Sequence, residues 1–453
     1  MDDRKSALLV TTLGAFLVPF MGSSVNIALP SIGKEFAMDA ILLSWVTISY
    51  LLSAAIFLVP FGRMADIHGR KKTFLLGFMI YTITSVFCAM ATSSLFLISF
   101  RVLNGIGASM TFSTGVAILM SLYPPGERGK VLGINVAAVY SGLSCGPFLG
   151  GSLTYHFGWR SIFLINLPLG LLIILFTLWK LKGEWTEAKG EKFDGMGSLL
   201  FSLSLVAIMA GFSQLPGIRG FGFILLGALG VLLFVKWETK TDSPMMNMDL
   251  FRKNRVFAFS NLAALINYSA TFAVSFLMSL YLQFIKGLNP QEAGLILIAQ
   301  PIVQALFSPL AGRLSDRIEP RIVASVGMAF TAFGLLLFIF LDQETPICFI
   351  IGSLILLGLG FALFSSPNTN AVMGSVERKF YGVASGTIGT MRATGMMFSM
   401  GMVMLIFAVS MGRTEITSSS YPLFMTSVRH AFVIFTSLCF AGIFASLSRG
   451  RLR

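Results

Sequence analysis

Apolar residues in this chain run on for about twenty positions at a time, stop at short polar clusters, and start again. A bilayer core takes roughly 20 apolar residues per helical span. Runs of that kind lie at 7–29, 41–61, 73–91, 95–120, 130–154, 162–180, 196–214, 219–236, 257–284, 292–311, 322–341, 346–366, 382–409 and 429–447, fourteen in all. Barrel strands would alternate apolar and polar over roughly ten residues. These runs stay apolar at successive positions, which predicts helices. Pro216-Gly217 predicts a short hairpin between the seventh and eighth. The opening Met1-Asp2-Asp3-Arg4-Lys5 is short and the first run can span, so no cleaved leader is expected.

Composition sharpens the picture. Charged residues make up 12% of the chain and mean hydropathy is +0.82. A soluble domain carries about 25% charged residues, so a soluble single-core protein is excluded. The net charge of +13 raises the question of a nucleic-acid partner. Of 33 basic residues, however, 25 fall at the termini and in the connectors on the side of the termini. Six lie in the opposite connectors (Lys34, Arg160, Arg219, Lys286, Arg413, Arg429), and Arg101 and Arg392 lie within spans. That asymmetry is the positive-inside pattern. It predicts a multi-pass protein of the cell membrane with both termini cytoplasmic, the lipid bilayer as partner and no nucleic acid. Cys88, Cys145, Cys348 and Cys439 sit in apolar spans without zinc spacing, and read as small packing residues.

The chain repeats itself. Gly62-Arg63-Met64-Ala65-Asp66 follows the second span, and Gly312-Arg313-Leu314-Ser315-Asp316 follows the tenth, 250 residues on. Glu127-Arg128 precedes Gly133 and Gly142, while Glu377-Arg378 precedes Gly386 and Gly395, with 253 residues separating Gly133 from Gly386. Two unrelated patterns at nearly one offset predict a first six-helix bundle over 1–182, an inserted pair over 183–256, and a second bundle over 257–453. The expected class is an all-α polytopic membrane protein built as two six-helix bundles plus two inserted helices. Duplicated six-helix halves are how many secondary transporters are made, with the substrate between the halves near the bilayer midplane.

The motifs resemble those of the major facilitator superfamily, specifically its fourteen-helix drug:proton antiporters, over essentially the whole chain. The stretch Gly62 to Lys72, with Asp66 and Arg70, is similar to the superfamily's cytoplasmic signature. The resemblance implies that Asp66 latches the halves together, with Asp316 as its counterpart. Glycines there would supply a tight turn. The fifth span carries Gly133, Gly142, Gly146, Pro147, Gly150 and Gly151 at the positions of the family's antiporter motif. Small residues let helices approach closely and proline bends them. Val25 to Pro30, Trp159 to Pro168 and Asn289 to Gly294 agree with the same subfamily. Arg101-Val102-Leu103-Asn104-Gly105 resembles its Arg-x-x-Gln-Gly element, which implies a part for Arg101 in proton transfer. An arginine snorkelling from a helix end is the plainer reading.

One position departs from the pattern. The fourteen-helix antiporters usually carry an aspartate five residues before the asparagine at Asn26, and here that residue is Met21. All twenty acids fall in connectors or at helix ends. A membrane carboxylate is the default proton site in such a carrier. The deepest charge is Arg392, expensive at that depth and expected to face either a cavity or neighbouring carbonyls. Met21, Asn26, Tyr50, Asn104, Tyr140, Asn267, Tyr268, Gln283, Gln300, Asn368 and Arg392 are the expected cavity residues for an amphiphilic small molecule.

No phosphate loop, His-Glu-x2-His or metal cluster is present in the sequence, so neither an enzyme nor a nucleotide-driven pump is expected, and no cofactor is implied. The leading expectation is proton-linked export of an amphiphilic small molecule by alternating access, with a monomer as the superfamily precedent. The second is a facilitator or exchanger of an organic anion or neutral metabolite. A channel, or a sensor that transports nothing, would not need the repeated motifs.

Overall fold

The computed structural model describes residues 3–188, 190, 193–241, 244, 246, 248–377 and 381–450. Arg378 of the second repeat, and Asp2, Glu191 and Asp242 among the acids, lie outside the described residues, as does the Arg128 side chain. Among the described residues are fourteen helices long and apolar enough to cross a membrane, and no strand. They are α1 (Asp3–Glu35), α2 (Ala40–His68), α3 (Arg70–Ala89), α4 (Ser94–Leu122), α5 (Pro125–Phe157), α6 (Arg160–Lys180), α7 (Gly195–Gln214), α8 (Ile218–Glu238), α9 (Arg255–Ile285), α10 (Pro290–Arg317), α11 (Pro320–Phe338), α12 (Ile347–Gly374), α13 (Tyr381–Ser410) and α14 (Tyr421–Ser448).

Several helices outrun their apolar stretches. The 33 residues of α1 extend past 7–29 at both ends, with Asp3 in the first turn and Lys34 in the last. Those signs suit the helix dipole, so hydrogen bonding continues beyond the hydrocarbon. Two helices break where proline dictates. Pro168 and Pro301 cannot donate to the carbonyl four residues back, and α6 is interrupted at Ile165 and α10 at Ile298, three residues before each. Helix α9 is interrupted at Phe272 and ends in a π-turn, Tyr281–Ile285.

Helices α1 to α6 form one bundle, in which α1 packs along α5, and α4 packs against α2 and α3. Helices α9 to α14 form the other, in which α12 packs against α10 and α11, and α9 lies against α13 and α14. The pair α7–α8 belongs to neither. Its helices pack on each other, and α7 leans on both α2 and α13. Leu225, Leu229 and Leu232 of α8 are exposed, as a lipid-facing surface requires.

Helix α5 shows why its small residues stand where they do. At 3.6 residues per turn, Gly142, Gly146 and Gly150 share one face, and that face is pressed on α1. Ser24 Oγ donates to the Gly146 carbonyl (3.1 Å), and Asn135 on the same face donates to the Thr11 carbonyl. Gly133, Tyr140, Pro147 and Gly151 lie on the opposite face, toward the second bundle. One helix therefore holds its own bundle with one side and meets the other bundle with the other.

Two expectations need correction. Gly62 and Gly312 make no turns, because they lie inside α2 and α10 facing Ser113 and Ser366. The turn is Gly69 alone, at φ +125°, a region closed to L side chains. Cys348 is exposed at the start of α12, whereas Cys145 is half-buried and Cys88 and Cys439 are buried.

A Cβ on Gly142 would stand 2.3 Å from the Phe16 carbonyl oxygen, whereas one on Gly133 would meet nothing within 4 Å. Gly142→Val is expected to destabilise the fold by about 1–3 kcal/mol, the usual cost of overpacking. Gly133→Ala should leave the melting temperature of purified protein level or slightly raised. Equal losses at the two sites would contradict this packing.

Candidate functional site

At the end of the molecule away from the termini, side chains of the second bundle are bonded to backbone carbonyls of the first. Pro30 has no N–H, so the Asn26 carbonyl one turn earlier lacks its helical donor. Ser279 of α9 fills that vacancy, donating to Asn26 O from 2.6 Å. Gln283, in the π-turn, donates to the next carbonyl, Ile27 (2.9 Å), and to Ser279 Oγ (3.1 Å). Such π-turns recur at functional positions. The Asn26 amide itself faces α2, with its oxygen accepting from Thr47.

Helix α10 closes the same end. Asn289 accepts from the Glu292 N–H (2.9 Å), the Glu292 carboxylate accepts from the Asn289 N–H (3.0 Å), and Pro290 takes the first helical position. This capping box fixes how α10 enters the bundle. It sets Gly294 beneath the Pro147 carbonyl and Gly151 beneath the Pro290 carbonyl, where added Cβ atoms would stand 2.1 and 2.4 Å from the two oxygens. Toward the termini the seam loosens. Gly133 and Gly386, the repeated pair, meet nothing within 4 Å, while α2 and α13 keep contact through Leu58 and Gly389.

Between the bundles, near mid-helix, the hydroxyls of Tyr140 (α5) and Ser365 (α12) meet at 3.0 Å. Beside them the Tyr268 ring stands edge-on to Phe361, with centroids 5.2 Å apart. The Arg392 guanidinium lies 5.7 Å from the Tyr268 centroid, and its Nη2 donates to Thr369 Oγ1 at 2.5 Å. Its Nε is buried with no hydrogen-bond partner, and among the described residues no carboxylate is paired with it. A half-buried guanidinium next to aromatic faces can receive an anionic or electron-rich planar group.

The other predicted residues are distributed differently. Arg101 does not snorkel. It is 1% exposed, donates to the Val46 carbonyl (3.1 Å) and to Asn104 Oδ1 (3.2 Å), and stacks on Tyr50 at 4.3 Å. Asn104 in turn donates to the Tyr81 carbonyl, Thr84 and Ser85, so this cluster lies inside the first bundle. Met21 is fully buried and receives the Asn166 amide of α6 on its sulfur. A thioether and an amide therefore occupy the place where the antiporters have a carboxylate, and neither group titrates. Gln300 is half-buried with its carbonyl against Gly358, and Asn267 is buried on α9 with neither amide atom partnered.

The signature loop is strapped to its own bundle. Arg70 donates through Nε to Asp66 (2.7 Å) and through Nη1 and Nη2 to Glu187 (2.7 and 3.0 Å), and Nη1 also reaches Ser121. Glu184 caps the start of α3 by accepting from the N–H groups of Lys71 (2.8 Å) and Lys72 (3.2 Å). Both glutamates come from the connector between α6 and α7. Asp66 thus has its partners in the first bundle and that connector, and Asp316 accepts from Asn370 of the second.

Sequence reasoning missed Glu184, Glu187 and Arg449. The only signal for the glutamates was two acids three residues apart near a basic loop. Arg449 looked like a terminal topology charge. It is 1% exposed and donates to Ser260, Asn368, Ser446 and the Pro320 carbonyl, so Asn368 is taken up in that network.

The sequence profile of the Major Facilitator Superfamily matches residues 11–237 and 261–451. This chain belongs to that superfamily. It is a multi-pass membrane transporter and not an enzyme. It is 30% identical to the riboflavin transporter RibZ of Clostridioides difficile (strain 630), over 98% of this chain and 97% of that protein. It is 32% identical to the multidrug resistance protein Stp of Mycobacterium tuberculosis (strain H37Rv), covering 86% and 73%. Its fold matches a bacterial homologue of the human lysosomal transporter Spinster, solved in an inward-facing, unoccupied conformation, with a TM-score of 0.71 at 17% identity and 99% and 98% coverage.

If Pro30 is what frees the Asn26 carbonyl, Pro30→Ala should return a helical donor to that oxygen and weaken its bond to Ser279. Loss of one hydrogen bond, about 0.5–1.5 kcal/mol, is expected to raise the population open at that end by about two- to tenfold. Spin labels on the two bundles would report it. Ser279→Ala should give the same shift and add little to Pro30→Ala, whereas fully additive effects would show that the two act separately.

Proposed function

We propose that this transporter carries a planar amphiphilic molecule, neutral or anionic, between its two bundles by alternating access, without a proton-binding carboxylate in the membrane. The observation that carries the reading is Arg392, a cation held near mid-membrane by Thr369 and the Tyr268 ring, with no carboxylate beside it among the described residues. An arginine in that setting is costly unless something of opposite charge or high electron density visits it. Tyr140, Tyr268 and Phe361 supply flat apolar faces, and Ser365 supplies a hydroxyl. Riboflavin, the solute in the name of one relative, is of this kind, a flat ring system with a polar chain. In this reading both termini lie in the cytoplasm, which the excess of basic residues in the connectors on their side supports, and the chain acts as a monomer.

Alternating access would run between the close seam now formed by Ser279, Gln283, Gly151 and Gly294 and a state in which the bundles meet instead near Gly133 and Gly386. The small residues on both sides of α5 allow such rocking, because neither contact has to pass a side chain.

A second reading, proton-linked export of amphiphilic drugs, is favoured by the likeness of α5 to the antiporter motif and by relatives named for multidrug resistance and for drug efflux. The buried Met21–Asn166 pair argues against it, since the usual titrating group is missing from that position.

Flux of riboflavin or a related planar solute into proteoliposomes should saturate, show exchange between internal and external solute, and stay constant under an imposed pH gradient. Flux that follows the gradient would establish the proton-linked reading instead. Arg392→Gln is expected to weaken solute binding at least tenfold while leaving the melting temperature of the unliganded protein nearly unchanged. Unaltered affinity would remove Arg392 from the site.

A further inference from the structure

Away from the central site, a cleft of about 520 Å³ opens at the end of the molecule opposite the termini. Its walls come from three separate units: the turn between α7 and α8, the first turn of α2 at Ile41, and the end of α13. Two arginines line it, Arg219 at the start of α8 and Arg413 just beyond α13. Among the described residues neither is paired with a carboxylate. Asp39, two residues before Ile41, is engaged in capping α2 through the Leu42 N–H at 2.7 Å, and Glu415, two residues beyond Arg413, is paired with neither arginine.

The charge pattern makes this convergence unusual. Only six of the 33 basic residues belong to the connectors on this side. Arg160 is tied to Glu35 by two bonds, and Lys286 is tied to the Gln343 carbonyl. Arg219 and Arg413 are brought to one cleft from positions 194 residues apart in sequence. Helix α8 adds to the positive field: it begins at the cleft, and its cap residue Gly217 supplies no side chain to the free N–H groups. A 21-residue helix presents a partial positive charge there.

The surroundings say where an anion would come from. Ile218 and Phe221 beside the cleft are 87% and 61% exposed, and Val409 on α13 is 61% exposed. Exposed apolar side chains at the ends of membrane-spanning helices are ones that lipid would cover, which argues for a cleft at the level of the headgroups, between the inserted pair and the bundles. An anion with acyl chains attached would satisfy the arginines and cover the apolar rim together.

We infer that the cleft between the α7–α8 turn and α13 is a binding site for the phosphate group of an anionic phospholipid, gripped by Arg219 and Arg413. The bound lipid bridges the inserted pair to the second bundle at the point where the turn is otherwise joined to it only by packing.

Native mass spectrometry of the purified full chain, titrated with phosphatidylglycerol or phosphatidylcholine, tests this. One phosphatidylglycerol should be retained with at least tenfold preference over phosphatidylcholine. The double variant R219Q/R413Q should lose that preference, R219K/R413K should keep most of it, and R429Q, an exposed arginine on the same side, should leave it intact. Retention of phosphatidylcholine by R219Q/R413Q at the wild-type level serves as the check that it is folded; if that fails, R219Q and R413Q are read singly, each expected to lower the preference. Phosphatidylglycerol retention that is unchanged in the double variant, or lowered equally by R429Q, would overturn the proposal. So would inorganic phosphate that binds as tightly as the lipid, since the site would then recognise a free anion.

Discussion

The architecture depends on backbone approaching backbone across the seam between the two bundles. Lipid offers no hydrophobic drive for helices to associate, because the tails are as apolar as the side chains. What remains is close packing and the few carbonyls that a helix does not use itself. At the end away from the termini both occur together. Gly151 and Gly294 bring α5 and α10 into contact with each other's carbonyls, and Pro30 leaves one carbonyl of α1 free for Ser279. A side chain at either glycine would hold the bundles apart. A non-proline residue at 30 would turn the Asn26 carbonyl back into its own helix.

The same arrangement explains how one structure can be both firm and mobile. Each bundle is stabilised by its own network: Arg101 with Tyr50 and Asn104 in the first, Arg449 with Ser260 and Asn368 in the second. Both arginines are buried and surrounded by carbonyls and amides, which makes each bundle costly to deform. Between bundles the helices pack α1 with α9, α2 with α13 and α5 with α10, and side-chain bonds across the seam come from Ser279, Gln283 and Tyr140. The strap of Glu184 and Glu187 ties the α2–α3 loop to the first bundle.

Electrostatics separates the scaffold from its chemistry. The motifs of α5 and of the signature loop resemble those of proton-driven drug exporters, yet a thioether held by an amide stands where their carboxylate would be. The remaining mid-membrane charge is positive and sits in the second bundle. On the proposed reading, selection rests on charge complementarity and ring stacking, and the driving force is the gradient of the solute.

The number of spans, their helical nature, the duplication and the family were all legible in the sequence, because each follows from patterns repeated over many residues. Run length set the spans, and two motif offsets set the halves. Much of the candidate site was not legible in this way. Arg101 and Asn104 read as cavity and coupling residues, but side-chain direction within a bundle depends on the rotation of each helix, which apolar runs on all faces leave undefined. Tyr140, Tyr268 and Arg392 were grouped by residue type, and only the packing of α5, α9, α12 and α13 brought them together. Glu184 and Glu187 lay in a polar connector that any solvated loop would resemble. What decided their role was the position of Gly69, which at φ +125° turns the chain so that the first α3 N–H groups meet Glu184 and the Arg70 guanidinium meets Glu187. The sequence by itself thus determined the solvent, the helices and the family, since those are properties of composition and period. Which atoms face one another across the seam was decided by tertiary structure alone, because it depends on the rotation and depth of helices that lipid does not orient.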